Sequence, residues 1–399
     1  MSDDKRKPPV SPVTRLAHGG RDETSAFRYV NPAVHRGSTV LNASVADLEK
    51  KNLWDRFGTL SYGRWGGPTH FALQDAMAEL ENGYRSVVVP SGKAAAAATL
   101  LAFVQSGDHI LMVDSVYQPS RSICQALLAR FGVQTTYYDP LIGAGINELI
   151  RPETRLVYAE SPGSLTFEVQ DIPPIVEAAH ARGVMVAMDN TWATPLYFKP
   201  LDFGVDVSVQ AATKYIVGHS DAMMGILTMT EEAYTPITNA IEDMGFSVSP
   251  DDCYLALRGL RTLDVRLRRH FETGLALAEW LQARPEVARV MHPALPGDPG
   301  YEIWKRDFAG ASGLFGVVLE PVAEAAVTAL LEGLELFGLG YSWGGYESLA
   351  IPTQPGNARS ATDWGAAGSS IRLHAGLEDA DDLIRDLDAG FERLKTISA

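Results

Sequence analysis

From about Ser61 onward, short apolar runs alternate with longer amphipathic ones. SVVVP (86–90) is followed by AAAAATLLAFV (94–104), HILMVD (109–114) by ICQALLARF (123–131), and TRLVYAES (154–161) by IVEAAHARG (175–183). VMVAMDN (184–190), VDVSVQAATK (205–214) and GILTMT (225–230) complete the series. Continuous apolar runs of this length predict buried strands, and the stretches between them predict helices. The alternation predicts an α/β unit built on a mostly parallel large-domain sheet with helices on both faces. Before about Leu60 there is little periodicity, and this part reads as an arm over something else. Beyond about Leu260 the pattern changes again. AAVTALLEGLELF (325–337) predicts a helix and SSIRLH (369–374) a strand. Leu383, Leu387 and Phe391 form one stripe of a last helix, whose start carries Glu378, Asp379, Asp381 and Asp382, favourable near the helix dipole. The expected division is an arm (1–60), a large domain (61–259) and a smaller α+β C-terminal domain (260–399). The first dozen residues are expected to be poorly ordered.

Composition narrows the function without naming it. The 399 residues carry 34 basic and 49 acidic side chains, a formal net charge of −15. A phosphate-backbone binder needs a basic face, so no nucleic-acid partner is expected, and no anionic membrane surface. The acidic balance still allows a local basic pocket for an anionic ligand. Two cysteines, Cys124 and Cys253, cannot build a disulfide framework or a Cys-rich zinc site. No metal site is expected. MSDDKRKPPVSP lacks the apolar core of a signal peptide, and the apolar run 94–104 is too short to span a bilayer. A cytoplasmic protein is the expectation.

In parallel sheets ligands gather at the carboxyl ends of strands, and there the polar residues Ser91, Tyr117, Ser161, Asp189 and Lys214 fall. SGKAAAAA (91–98) opens a helix after a strand. Gly92 allows close backbone approach and the free N–H groups can hold an anion; the alternative is an ordinary turn capped by Ser91. Asp189 is either an Asx-type cap or a carboxylate facing a cation. Lys214 is either a solvated strand-end charge or an amine activated by desolvation. Together, an anion cradle, a carboxylate and a lysine match the needs of pyridoxal phosphate, with Tyr117 available to stack on a ring. GLGYSWGG (338–345) contains G-x-G but follows no dinucleotide-binding unit. His219, Ser220 and Asp221 are adjacent only in sequence.

DNTW (189–192), QAATKYIVGHSDAMMG (210–225), LRGLRTLDVRLRRH (257–270) and the Tyr-Gly-Arg of SYGRWGGPTH (61–70) resemble the Cys/Met-metabolism pyridoxal-phosphate enzymes, in the right order over nearly the whole chain. The resemblance implies an aspartate-aminotransferase-like fold (PLP fold type I) and a homotetramer, a dimer of dimers with active sites shared across the dimer. It implies that Lys214 is the Schiff-base lysine, that Asp189 pairs with the pyridine nitrogen and that Tyr117 stacks on the ring. The backbone of Gly92 and Lys93 and the Thr213 hydroxyl would hold the phosphate, which Tyr62 and Arg64 would reach from the neighbouring subunit. Arg372 would grip the substrate α-carboxylate, with Ser342, Trp343 and Tyr62 lining the pocket.

Within the family, ESPGSLTFEV (160–169) with Ser164, YSWGGYESLA (341–350) with Trp343, and Ala211 in QAATK resemble the bacterial members that cleave cystathionine at Cβ. Trp65 stands where some relatives carry a second basic residue. The implied reaction is α,β-elimination on L-cystathionine, giving homocysteine, pyruvate and ammonia. Lys214 would move the Cα proton, and Lys214 or Tyr117 would protonate the leaving sulfur. The alternatives are a family member acting at Cγ or on another sulfur amino acid, and a non-catalytic oligomeric binding module of the same fold.

Overall fold

A computed structural model describes residues 10–21, 29–49, 55–365 and 368–398. The expectation for the first dozen residues falls mostly outside them. Seven strands form the larger sheet: β1 (Arg85–Val89), β2 (His109–Val113), β3 (Gln134–Tyr138), β4 (Thr154–Glu160), β5 (Met185–Asp189), β6 (Val207–Gln210) and β7 (Gly225–Met229), in the order β1-β7-β6-β5-β4-β2-β3. The β2, β6 and β7 side chains are buried throughout, which is why these strands read as unbroken apolar runs. Pairings β2–β3, β2–β4, β4–β5 and β5–β6 are parallel; β7 is antiparallel to both β1 and β6. The parallel strands therefore bring Asp114, Glu160, Asp189 and the 211–214 turn to one edge of the sheet.

Two elements differ from the sequence pattern. β3 (QTTYY) was not expected, because an edge strand is partly exposed and carries no apolar run. ICQALLARF is not one α-helix. A short α-helix (Gln118–Ser122) runs into a π turn (Ile123–Leu127), then a 3-10 turn (Leu128–Phe131), ending at left-handed Gly132.

The smaller sheet is antiparallel, β10-β11-β9-β8, from β8 (Val287–Met291), β9 (Leu314–Leu319), β10 (Leu349–Thr353) and β11 (Ser370–His374). The helices Leu263–Gln282, Glu324–Glu332 and Ala380–Ser398 accompany it. The apolar pattern 325–337 continues past its helix, which stops at Glu332. Leu383, Leu387 and Phe391 are fully buried in this second core. Buried Asp114, just beyond β2, accepts from the backbone of Ser360, Ala361 and Thr362, in the connection between β10 and β11, and from Arg121. It holds the 360–362 segment against the strand-end edge.

Candidate active site

Lys214 lies in the turn after β6, where its backbone N–H bonds Ala211 O at 3.0 Å. Its Nζ donates to Ser342 Oγ at 2.6 Å and sits 5.3 Å from the centre of the Trp343 ring. Burial and the nearby Arg372 guanidinium push the amine down to about 8, against an opposing pull from Asp189. Lys214 is thus half-buried and hydrogen-bonded.

Asp189 ends β5. Its Oδ1 accepts from Thr191 N (3.0 Å) and Thr191 Oγ1 (2.6 Å), so the Asx-type turn is real. Burial raises its carboxyl above the usual range, partly offset by the Thr191 bonds. A carboxylate in this environment gains by facing a cation. Arg372, on β11, is pushed down to about 10 by burial and donates to Ser342 O at 3.0 Å. Tyr117 is half-exposed to the cleft. Burial, then the Glu160 and Asp189 carboxylates, raise its hydroxyl, while Arg372 opposes them. A cavity of about 100 Å³ lies between Tyr117, Ser164, Arg359 and Arg372.

The helix Gly92–Ala102 begins with Ser91 as cap, its Oγ accepting from Ala94 N at 3.1 Å. The first N–H groups of a helix have no intrahelical acceptor, so those of Gly92 and Lys93 suit an anion. A Cβ at Gly92 would come within 2.4 Å of Ala211 Cβ, so only glycine allows this close approach. Thr213 Oγ1 is engaged with its own turn, accepting from Met224 N (2.9 Å) and donating to Met224 O (3.2 Å).

Tyr62 and Arg64 lie elsewhere in the chain. They line a cavity of about 610 Å³ with residues 35–40 and 247–250. Arg64 pairs with Glu242 at 2.6 Å, Trp65 Nε1 donates to the same carboxylate, and Tyr62 packs edge-on against Trp65. Arg64 Nη1 is buried without a hydrogen-bond partner among the described residues.

Two residues here were not singled out from sequence. Glu160 ends β4 beside Asp189, and its Oε2 accepts from Tyr117 N at 2.7 Å. Burial and the Asp189 charge hold its carboxyl well above the usual range. Its signal was the one that marked Asp189, an acid closing a buried strand. His374, two residues beyond Arg372, gave no local signal.

A desolvated amine, a buried carboxylate, a glycine cradle at a helix start and a guanidinium share one cleft. This donor set fits pyridoxal phosphate: an amine for its aldehyde, a carboxylate for its ring nitrogen and N–H groups for its phosphate. The fold and cleft define a pyridoxal-phosphate-dependent enzyme of the aspartate-aminotransferase-like class. The chain belongs to the Cys/Met metabolism PLP-dependent enzyme family, whose sequence profile matches residues 13–392. It is 47% identical over 387 residues to a cystathionine beta-lyase of Escherichia coli (strain K12), covering 96% of this chain and 98% of that one. A cystathionine beta-lyase of Salmonella typhimurium is 46% identical with the same coverage. The crystal structure of cystathionine gamma synthase from Xanthomonas oryzae pv. oryzae, in complex with aminoacrylate and cysteine, superposes with a TM-score of 0.89 at 32% identity, covering 97% and 99% of the two chains.

Proposed function

We propose that this enzyme is a cystathionine β-lyase of methionine biosynthesis, cleaving L-cystathionine at the Cβ–S bond to give L-homocysteine and aminoacrylate, which water hydrolyses to pyruvate and ammonia. The observation that carries the reading is the desolvated Lys214 amine, bonded to Ser342 Oγ and flanked by Trp343, Asp189 and Arg372. In this reading Arg372 binds the substrate α-carboxylate as a fork. Bound pyridoxal phosphate supplies the sink for the electron pair left at Cα. Lys214 removes the Cα proton; its lowered proton affinity suits that task near neutral pH. Asp189 would hold the protonated ring nitrogen, and the N–H groups of Gly92 and Lys93, with the Thr213 hydroxyl, would hold the phosphate. Tyr117 would stack on the ring, and Lys214 or Tyr117 would protonate the departing sulfur. Ser342, Trp343 and Tyr62 line the substrate pocket.

Tyr62 and Arg64 act on the site of a neighbouring subunit. The unpartnered Arg64 Nη1 and the exposed apolar side chains of Tyr29, Val30, Leu41 and Val45 support this. The assembly is a homotetramer of two such dimers, in the cytoplasm. Each chain comprises an arm (1–60), a large domain (61–259) and a C-terminal domain (260–399). Among the described residues no helix is long and apolar enough to cross a membrane.

The test is product identification with purified enzyme and cystathionine. Pyruvate and homocysteine are expected; 2-oxobutyrate and cysteine would place the cleavage at Cγ. Lys214→Ala should lose the absorbance band near about 420 nm and at least about 100-fold in kcat.

A further inference from the structure

The segment LRGLRTLDVRLRRH (257–270) ends the helix Pro250–Leu260, opens the helix Leu263–Gln282 and packs behind the turn that carries Lys214. Thr262 and Arg266 stand four residues apart at the start of the second helix, hence on one face. Arg266 is buried, yet no carboxylate pairs with it among the described residues. Its donors go to uncharged oxygens. Nη1 donates to Tyr215 O at 2.7 Å, Nη2 to Gly259 O at 2.8 Å and more weakly to Ile216 O at 3.5 Å, and Nε to Thr262 Oγ1 at 3.0 Å. Tyr215 O and Ile216 O accept from no backbone N–H among the described residues, so the guanidinium serves carbonyls that the turn leaves open. Gly259 O lies at a helix C-terminus, whose partial negative charge suits a cation. Two glycines make the slot. A Cβ at Gly218, where φ is +71°, would overlap Arg266 Nη1, and one at Gly259 would overlap Ile216 O.

From this geometry we infer that Arg266 is a positioning residue: its fork ties the carbonyls of the Lys214 turn to the end of the helix Pro250–Leu260, and so sets where the Lys214 amine stands in the cleft. The inference rests on the reading of Lys214 as the cofactor lysine. A buried cation without a carboxylate is costly, and packing alone would be met by an apolar side chain of the same reach. A planar guanidinium reaches acceptors on both chain segments at once; a lysine ammonium has the charge but not the fork. Burial pushes Arg266 down to about 10, so it stays charged at neutral pH. The rest of the turn is held by other bonds. Lys214 N donates to Ala211 O at 3.0 Å, Gly218 N to Lys214 O at 2.8 Å, and Gly313 N to the Tyr215 hydroxyl at 3.2 Å. Lys214 C and Tyr215 N share one peptide plane, so a shift of the Tyr215 backbone moves Lys214 with it.

The experiment compares wild type, Arg266→Met and Arg266→Lys as purified full-length holoenzymes. Methionine keeps the reach without donors; lysine keeps the charge without the fork. In Arg266→Met, kcat for cystathionine cleavage is expected to fall about tenfold or more while KM moves by less than about threefold, since Arg372 remains. The pH midpoint of the cofactor absorbance band should shift by about half a unit or more, because that band reports the setting of the Lys214 nitrogen. Hydrogen exchange in a peptide spanning 212–219 should accelerate about tenfold. Arg266→Lys should recover less than half of the kcat loss. If kcat, band midpoint or exchange stayed unchanged in Arg266→Met, even with a lower melting temperature, the positioning role would be overturned. Full recovery in Arg266→Lys would overturn the fork. If Arg266→Met does not fold, Thr262→Val decides, because it withdraws the Nε acceptor at an exposed position. A loss of about twofold or more in kcat, with faster exchange at 212–219, is expected there; no change in either sinks the inference. If Lys214→Ala kept the cofactor band, the reading of Lys214 would fail while the exchange result still stood for the anchor.

Discussion

Desolvation sets the charge preference of most ionisable groups in the cleft. It lowers Lys214 and His374 and raises Asp189 and Glu160, so the cleft disfavours isolated charge and rewards a partner that supplies the opposite sign. Lys214 and Asp189 were legible in the sequence because each closes an apolar strand, where a charge must be explained. Glu160 carried the same mark. His374 did not, because its partner Gly344 lies 30 residues away in sequence. The same physics acts far from the cleft at Glu81, which is fully buried. Its Oε1 accepts from Thr228 Oγ1 at 2.9 Å, its Oε2 has no partner among the described residues, and burial pushes its carboxyl up to about 7. A folded-state value raised above the unfolded 4.5 means that the folded chain binds the proton more tightly. The stabilisation is therefore complete below pH 4.5 and is lost as pH rises through about 7. Glu81→Gln should remove this loss and make the protein more stable than wild type at pH 8, by up to about 3 kcal/mol. Denaturant unfolding at fixed protein concentration measures it, and equal pH dependence of the two proteins would contradict it.

At the scale of elements, the turn from Ser91 into its helix was readable because cap, glycine and alanine-rich run are contiguous. What the sequence left open was the reason for glycine. The structure supplies it in the Cβ of Ala211, 2.4 Å from where a Gly92 Cβ would stand. Gly92→Ala should push the helix start away from the lysine turn and weaken cofactor binding about tenfold or more, with little loss of fold. Titration of apoprotein with pyridoxal phosphate reads this; an unchanged Kd would remove Gly92 from the cradle. The stretch 123–131 shows the limit of periodicity. Its apolar spacing suits a helix, yet Leu128 N–H is shared between the carbonyls of Cys124 and Ile123, and the ladder slips from α to π and then tightens to 3-10. Apolar spacing does not record which carbonyl an N–H selects.

For the whole molecule, the proposal that Tyr62 and Arg64 complete the cleft of a neighbouring subunit makes a sharp prediction. Arg64→Ala and Lys214→Ala are each expected to be nearly inactive. Mixed, dissociated and reassociated, they should regain about a quarter of wild-type activity, because half the dimers are hybrids and each has one intact site. No recovery would mean that Arg64 serves its own chain. The sequence by itself determined the strand–helix alternation, the parallel core and the strand-end positions of Tyr117, Asp189 and Lys214, because apolar runs and their polar endings are local records of burial. Tertiary structure alone decided that β7 runs antiparallel, that polar QTTYY closes the sheet edge, and that Ser342 meets Lys214 across 128 residues of chain. These depend on which surfaces pack together, and the energy of such contacts is not written in the spacing of any single segment.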